Sequence, residues 1–590
     1  MKTRSVASVF SALLILAAGS HTDASGPKLL INHVGYESRG FKQAVLQADT
    51  NHGSPKFAVL DTAGHTVFHG KALPAGKVDR WYTGQYWQAE FSELEKPGAY
   101  RVRAELSAGS VTSELFAVGP RLLAESCAPA LIAYLRAQRC TGTFDARDRS
   151  LPFTGSRRDT VDVHGGWYDA SGDVSKYLSH LTYTNYMPPQ QTPLVVWAML
   201  EAAERFSRTG GERALLVAER ATEEALYGAD FLVRMQDPEG YFYVSVFDSW
   251  SHDPAQRTIC AYEGEEGRKT ADYRAAYRDG GGLAIAALAQ ASRVKERGEC
   301  PPSRYLAAAE RGFEHLERNN RAYVKNGREN IIDDYAALLA ATELYIATRK
   351  PLYLEAARRR AGELMGRQVR TGPWPGHFQA DETGRPYFHA VEAGLPSIAL
   401  LRYRHTEPDS QRQAAVLRTV QAHADFELRI TREVANPFGY ARQLVQDLGG
   451  QPRTSFFFPH KNESGYWWQG ENARLASIAA AALWAAPLLP AEYRPKLRSH
   501  ATRQLDWILG LNPYDACLLQ GFGRNNPPSL PGAPNAFGGV ANGITAGFDD
   551  EHGIAFLPPP CDTDERHNWR WSEQWIPHAA WLLFGLALTQ

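Results

Sequence analysis

The sequence has almost no surplus charge: 64 Lys and Arg stand against 65 Asp and Glu, a net of −1 over 590 residues. A nucleic-acid binder carries a basic face, so that class is disfavoured. Electrostatic recruitment to a membrane surface is disfavoured with it. No apolar run reaches the roughly 20 residues that a membrane-crossing helix needs. Cysteine is scarce: Cys127, Cys140, Cys260, Cys300, Cys517 and Cys561 are the six. They form no C-x-x-C pair and no zinc spacing. Cys127 and Cys140 flank one expected helix, about 20 Å apart at its rise per residue, and are not expected to pair with each other. Self-similarity at the periods of helical repeat proteins is also missing, which argues against a solenoid.

Aromatic residues are plentiful, with 14 Trp, 26 Tyr and 25 Phe. Such rings fill cores, and exposed ones stack on sugar faces. The chain is longer than the roughly 250–300 residues at which single cores stop growing, so two domains or one large closed architecture plus a small one are expected. At the N-terminus Lys2 and Arg4 precede the apolar run Val6–Gly19, followed by small residues at Ala18, Ser20 and Ala24. This reads as a signal peptide over residues 1–25, with no lipobox cysteine, and places the mature protein in the periplasm or outside the cell.

Residues 26–118 read as an immunoglobulin-like β-sandwich. Apolar–polar alternation recurs in Leu29–Val34, Gln43–Leu46, Lys56–Leu60, Thr66–His69, Tyr86–Phe91, Ala99–Ala104 and Thr112–Val118, separated by turn residues. From residue 119 to 590 the period changes to 3.6. Helices are expected over 121–138, 192–207, 212–235, 280–294, 302–318, 332–347, 351–366, 390–403, 411–429, 472–486, 493–509 and 575–588. Long connections interrupt them at 139–175, 236–270, 431–470 and 512–571, and loops of such length are usually functional. A barrel of paired helices with its site at one rim accounts for both features.

The loop 162–177 sets Asp169 and Asp173 four residues apart, among glycines that permit tight turns. Two close carboxylates can hold and deprotonate one water, and carboxylate pairs perform glycoside hydrolysis. The plainer alternative is that Asp173 caps a helix. An EF-hand is excluded by residue order. Asp549, Asp550 and Glu551 with Asp562, Asp564 and Glu565 could hold a structural calcium ion, although solvated acidic turns are commoner. His164, His460 and His567 border the long loops and are read first as structural. Asp333 and Asp334 suit a helix N-terminus, and Gly280–Gly282 lacks the layout of a phosphate loop.

Gly165-Gly-Trp-Tyr-Asp-Ala-Ser-Gly-Asp173 resembles the Gly-Gly-Trp-x-Asp-Ala-Gly-Asp signature of glycoside hydrolase family 9, the family of many cellulases. Ile31–Tyr36 and Lys96–Arg101 resemble the immunoglobulin-like module attached to many members. Asp506–Pro513, Gln520–Pro527 and Trp571–Leu582 resemble the family's late segments. The resemblance implies a mainly α protein with an (α/α)6 catalytic barrel and an inverting mechanism that requires no cofactor. It makes Asp173 the general base, Asp169 the aspartate that helps hold the water and Glu573 the general acid. Trp167, Tyr168, Trp467, Glu471 and Trp571 are the expected sugar contacts, with Trp468, Trp569 and Trp575 in the same segments. Two departures, the extra Ser171 and the segment Pro527–Pro534 in place of a His-His-Arg element, look like the exo-acting branch of β-glucosidases and exo-β-D-glucosaminidases. Glu471 could there pair with the C2 ammonium of glucosamine, against the alternative that it caps a helix or pairs with Arg474. The expected partner is an oligosaccharide or polysaccharide. The rival readings are an endo-β-1,4-glucanase, a carbohydrate-binding protein without catalysis, and a polysaccharide lyase. Oligomeric state is not readable from the sequence.

Overall fold

The computed structural model describes residues 26–589, except 82–83, 297, 466, 531–533, 560–563 and 565. The expected signal peptide, Cys561, Asp562 and Glu565 therefore lie outside the described residues. The five described cysteines are buried free thiols.

Ten strands come first: β1 (Lys28–Leu30), β2 (Tyr36–Glu37), β3 (Gln43–Ala48), β4 (Lys56–Asp61), β5 (Thr66–Lys71), β6 (Leu73–Gly76), β7 (Gln85–Glu90), β8 (Gly98–Leu106), β9 (Gly109–Thr112) and β10 (Phe116–Gly119). They make two sheets, ordered β1-β3-β7-β6 and β2-β10-β8-β4-β5, with β9 beside β8. Successive side chains of a strand point to opposite faces. Leu29, Ala44 and Leu46 accordingly enter the sandwich core with Trp87, Phe91 and Phe116, while Leu30, Val45 and Tyr86 enter the core of the helical part. The first sheet is thus covered on both faces, and all six residues of β3 are buried. Asn32 Nδ2 donates to Asp506 Oδ1 at 2.7 Å, and His33 N donates to the Leu509 carbonyl at 2.9 Å. Trp81 packs on Phe456, Phe457 and Trp507. The sequence reading did not foresee β2, β6 and β9; its last strand, Thr112–Val118, meets β10 and only the final residue of β9.

All twelve expected helices form: α1 (Leu122–Ala137), α3 (Thr192–Thr209), α4 (Glu212–Arg234), α5 (Gly282–Ala291), α6 (Pro302–Tyr323), α7 (Ile331–Thr348), α8 (Pro351–Gly366), α9 (Leu395–Thr406), α10 (Ser410–Arg432), α11 (Asn472–Ala485), α12 (Tyr493–Ile508) and α14 (Ile576–Ala587). Two short ones were not foreseen, α2 (Gly142–Asp148) and α13 (Trp569–Ser572). The helices α3, α5, α7, α9, α11 and α14 touch in that order and close back from α14 to α3. Each has an outer partner: α4 on α3, α6 on α5, α8 on α7, α10 on α9, α12 on α11 and α1 on α14. This double ring is the (α/α)6 barrel.

Sequence explains the two layers. Inner helices are Ala-rich and apolar all round, and every residue of α5 and of α14 is buried. Outer helices such as α6 bury one stripe and leave the rest to water. Gly282 lets α5 and α7 approach closely, since a Cβ there would lie 2.7 Å from the Cβ of Ala336. A ring adds helices around its circumference without thickening its core, which is how the long helical part stays within ordinary packing limits.

Candidate active site

The four long connections supply most of the walls of one pocket of about 410 Å³. Asp169 and Asp173 come from the first connection, Trp250, Tyr262 and Glu265 from the second, Ser464 and Trp467 from the third, and Arg566, Asn568 and Trp569 from the fourth. Glu573 and Trp575 follow just before α14, and His180 and Tyr183 lie after the aspartate loop.

Asp169 and Asp173 are 3% and 6% exposed. Asp169 Oδ2 accepts from Trp575 Nε1 at 2.8 Å and is 2.7 Å from His180 Nε2, whose Nδ1 meets the Tyr262 hydroxyl at 2.7 Å. Its other oxygen, Oδ1, is buried without a hydrogen-bond partner among the described residues. Asp173 Oδ1 accepts from Ser175 N at 2.8 Å, and its Oδ2 accepts from the Tyr177 hydroxyl at 2.9 Å and from Trp250 Nε1 at 3.0 Å. A carboxylate oxygen has two lone pairs, so Asp173 Oδ1 retains one and Asp169 Oδ1 retains both. Ligand atoms of Asp169, Asp173 and His180 lie within 4.8 Å of one another, the span of one bound water. Trp250 reaches Asp173 from a strained turn in which Ser249, Trp250 and His252 all have φ between 54° and 61°, a cost that clusters at functional sites.

Glu573 is held by an extended segment clamped on both sides. On one side Ser171 N donates to the Gln574 carbonyl at 2.8 Å, Gln574 N donates back to Ser171 Oγ at 3.0 Å, and Ile576 N donates to the Asp169 carbonyl at 3.1 Å. On the other, Asn542 N donates to the Glu573 carbonyl at 2.7 Å. The residue that widens the aspartate spacing is therefore the one that grips the strand carrying the acid. Desolvation pushes the Glu573 carboxyl well above its ordinary pKa, and the negative charges of Asp169 and Asp173 push it further. Burial also raises Asp169, opposed by its hydrogen-bonded His180. The pocket thus sets a carboxyl that keeps its proton against a pair of aspartates with room for a water.

The expected sugar contacts divide. Trp467 lines the pocket, as do Trp569 and Trp575. Trp167 does not: it is fully buried, donates from Nε1 to Glu224 at 2.8 Å, and packs over Gly228 of α4. Tyr168 turns away, with its hydroxyl hydrogen-bonded to the backbone of Thr141. Trp571 is fully buried beside Trp468, because residues two apart on a helix do not share a face and Trp569 takes the pocket side of α13. Glu471 is 1% exposed. It pairs with Arg474 and accepts from Phe458 N at 2.7 Å and Gln443 Nε2 at 2.9 Å, so it is a structural group and does not reach a sugar.

His164 pairs with Asp162, and His460 stacks on Trp468 at 4.2 Å. Neither these two nor His567 lines the pocket. Asp550, Glu551 and Asp564 are each paired with an arginine, Arg80, Arg453 and Arg566. Sequence reasoning missed His180, Trp250, Tyr262 and Glu265. The length of the loop 236–270 was the available signal for three of them, and His180 lies three residues past the end of the loop 162–177.

The sequence profile described as "Glycosyl hydrolase family 9" matches residues 127–532, and that described as "Cellulase N-terminal ig-like domain" matches residues 24–108. A curated relative, the xyloglucan-specific endo-beta-1,4-glucanase of Bacteroides ovatus, is 22% identical over 88% of this chain and 84% of its own. A solved metagenome-derived glycoside hydrolase family 9 endoglucanase covers 95% of this chain and 98% of its own, with a TM-score of 0.66 at 21% identity. A solved family 9 protein of Bacteroides ovatus covers the same shares, with a TM-score of 0.65 at 19% identity.

Proposed function

The chain belongs to glycosyl hydrolase family 9 and is an O-glycosyl hydrolase acting on carbohydrate, and we propose that it is an exported, inverting β-glycosidase that releases single glucosaminyl or glucosyl units from chain ends, glucosaminyl in preference. The observation that carries the reading is that Glu573, whose carboxyl is pushed toward its protonated form by burial and by the two aspartates, lines the same pocket as the Asp169–Asp173 pair. Glu573 gives its proton to the glycosidic oxygen. A water held by the Asp169–Asp173 pair loses a proton to Asp173 and attacks the opposite face of the anomeric carbon, as inversion requires. His180 and Trp575 fix Asp169, and Trp250 and Tyr177 fix Asp173. No step calls for a cofactor.

Two features support a cationic chain end as substrate. A space of about 410 Å³ is that of a small-molecule pocket and suits a terminal unit better than the middle of a polymer. Beside the protonated Glu573, its walls carry Asp169, Asp173 and Glu265 against Arg566 and His180, a balance that favours an ammonium sugar over a neutral one. The discriminating experiment is a product assay on chitosan oligosaccharides, cellobiose, carboxymethyl cellulose and xyloglucan, with the product anomer followed by NMR. Monomer released from chitosan oligosaccharides with inversion supports the proposal. Rapid loss of polymer viscosity supports the second reading, an endo-β-1,4-glucanase, which is the activity named for two of the relatives. Export rests on the N-terminal pattern, and N-terminal sequencing of the mature protein tests it.

A further inference from the structure

A second cleft of about 250 Å³ lies between the β-sandwich and the barrel, far in sequence from the catalytic loops. Its polar lining includes Gln88 of β7, Arg432, Asn436, Ser499, His500 and Arg503. No carboxylate is among the residues that line it. Most of these polar groups are engaged: Gln88 Nε2 donates to the Pro437 carbonyl at 2.6 Å, Asn436 Nδ2 to the carbonyls of Thr431 and Tyr440, and Ser499 Oγ to that of Lys496.

Three cationic or donor groups remain. The Arg503 guanidinium lies over the Phe41 ring at 4.6 Å and has a buried Nε without an acceptor. His500 is 5% exposed, and its Nε2 is buried without a partner. Arg432, at the end of α10, is close enough to Arg503 to repel it, and burial together with that repulsion lowers Arg503 to about 10. Glu90 and Asp506 attract Arg503, but neither forms an ion pair with it among the described residues.

The backbone makes room for this arrangement. Gly439 has φ +64°, and a Cβ there would lie 2.3 Å from Arg503 Cδ and 3.3 Å from its Nε. A glycine in the left-handed region, where other residues are strained, therefore forms the seat of an arginine whose buried Nε has no acceptor among the described residues. Two neighbouring guanidiniums in a cleft whose own walls carry no carboxylate, with Glu90 and Asp506 acting on Arg503 only from outside that lining, are stabilised by an anion between them, and a guanidinium fork matches the geometry of a tetrahedral oxyanion.

We propose that this cleft is a binding site for a small oxyanion of the phosphate or sulfate class, held by Arg503 and Arg432 with His500 beneath, and that the bound anion ties the sandwich to the barrel. The test is isothermal titration calorimetry of the full chain with inorganic phosphate and with sulfate, at constant ionic strength made up with chloride. Saturable binding at one site is expected. Arg503→Gln should weaken it about 10–100-fold, the worth of a charge-assisted hydrogen bond, and Arg503→Lys, which keeps charge without the fork, should fall between. Arg432→Gln, at an exposed position, supplies a variant whose folding is not at issue and should also weaken binding. Unchanged glycosidase turnover in these variants would show that the barrel is intact. Absence of saturable heat in the wild type, or the same affinity after both the Arg432 and the Arg503 substitutions, would overturn the proposal.

Discussion

In the helical ring, Glu343 of α7 is completely buried and receives Arg402 on both oxygens, at 2.7 and 3.1 Å, with Arg293 at 2.7 Å. At the barrel rim, Glu573 shares a pocket with Asp169 and Asp173, and among the described residues its side chain accepts only a 3.5 Å contact from Asn542. Burial drives both carboxyls upward. For Glu343 the arginines outweigh burial and hold it ionised, whereas for Glu573 the neighbouring charges add to burial and keep it protonated. Asp148 of α2 belongs with Glu343: burial is outweighed by Lys176 and by Arg257, which forks onto it at 2.7 and 2.8 Å. A buried charge given a partner holds structure in place, and one denied a partner is available for chemistry. The lack of an ion-pair partner among the described residues does not suffice alone. Glu392 and Asp506 are lifted by burial to about 8 and about 7, yet neither lines the pocket.

The largest break in this contrast comes from Glu573→Gln, which removes the proton donor and keeps the shape. Turnover should fall by about 10²–10⁴, the usual contribution of a general acid. Stability should move the other way. Between the ordinary carboxylate pKa and its raised folded value, the native state holds a proton that the unfolded chain has lost, so wild-type stability declines as pH rises through that window. The variant lacks this decline. Its Tm relative to wild type should therefore grow from acid to neutral pH, and a constant difference would refute the raised pKa. The same group sets the alkaline limb of the wild-type kcat/KM profile.

Next in size is Ser171→Ala. It removes the hydroxyl that accepts from Gln574 N and leaves the backbone contact. One hydrogen bond of about 1 kcal/mol corresponds to about fivefold in kcat, with KM little changed and Ser171→Thr restoring most of the loss. An altered KM with normal kcat would assign Ser171 to substrate binding instead of to placing the acid.

Arg257→Gln tests the structural side. Asp148 would keep Lys176 but lose its fork, and breaking a buried pair costs about 3–5 kcal/mol, read in denaturant midpoints. Turnover per folded molecule should change least here, because Arg257 does not line the pocket. A loss of kcat without loss of stability would place Arg257 in the catalytic machinery.

Legibility in the sequence follows the same division. Helices were legible because a ring of paired helices imposes period 3.6 on each one separately, and local pattern is all that period requires. Asp169, Asp173 and Glu573 were legible through short motifs whose chemistry travels with residue type. The facing of single side chains was not. Trp167 and Trp571 sit in the right segments, but Gly228, distant in sequence, opens a slot for the first, and the short helix α13, which the residue pattern did not reveal, directs the second inward. His180 and Trp250 were missed because each acts through an aspartate it positions, a role that leaves no mark in residue spacing.

Glu471 joins the two halves of the comparison and gives the smallest expected effect. Its sequence setting, a carboxylate beside Trp467 and Trp468, suggested an ammonium reader, and its surroundings assign it to the paired class with Glu343 and Asp148. Glu471→Gln would leave Arg474 facing a neutral amide, so stability should drop. The ratio of kcat/KM on diglucosamine to that on cellobiose should stay where it was, since no pocket wall carries Glu471. Glu265, which does line the pocket, is the control: Glu265→Gln should shift that ratio toward cellobiose. If Glu471→Gln shifts it as far, paired and unpaired carboxylates are not functionally distinct in this protein, and the contrast drawn from Glu343 and Glu573 fails with it.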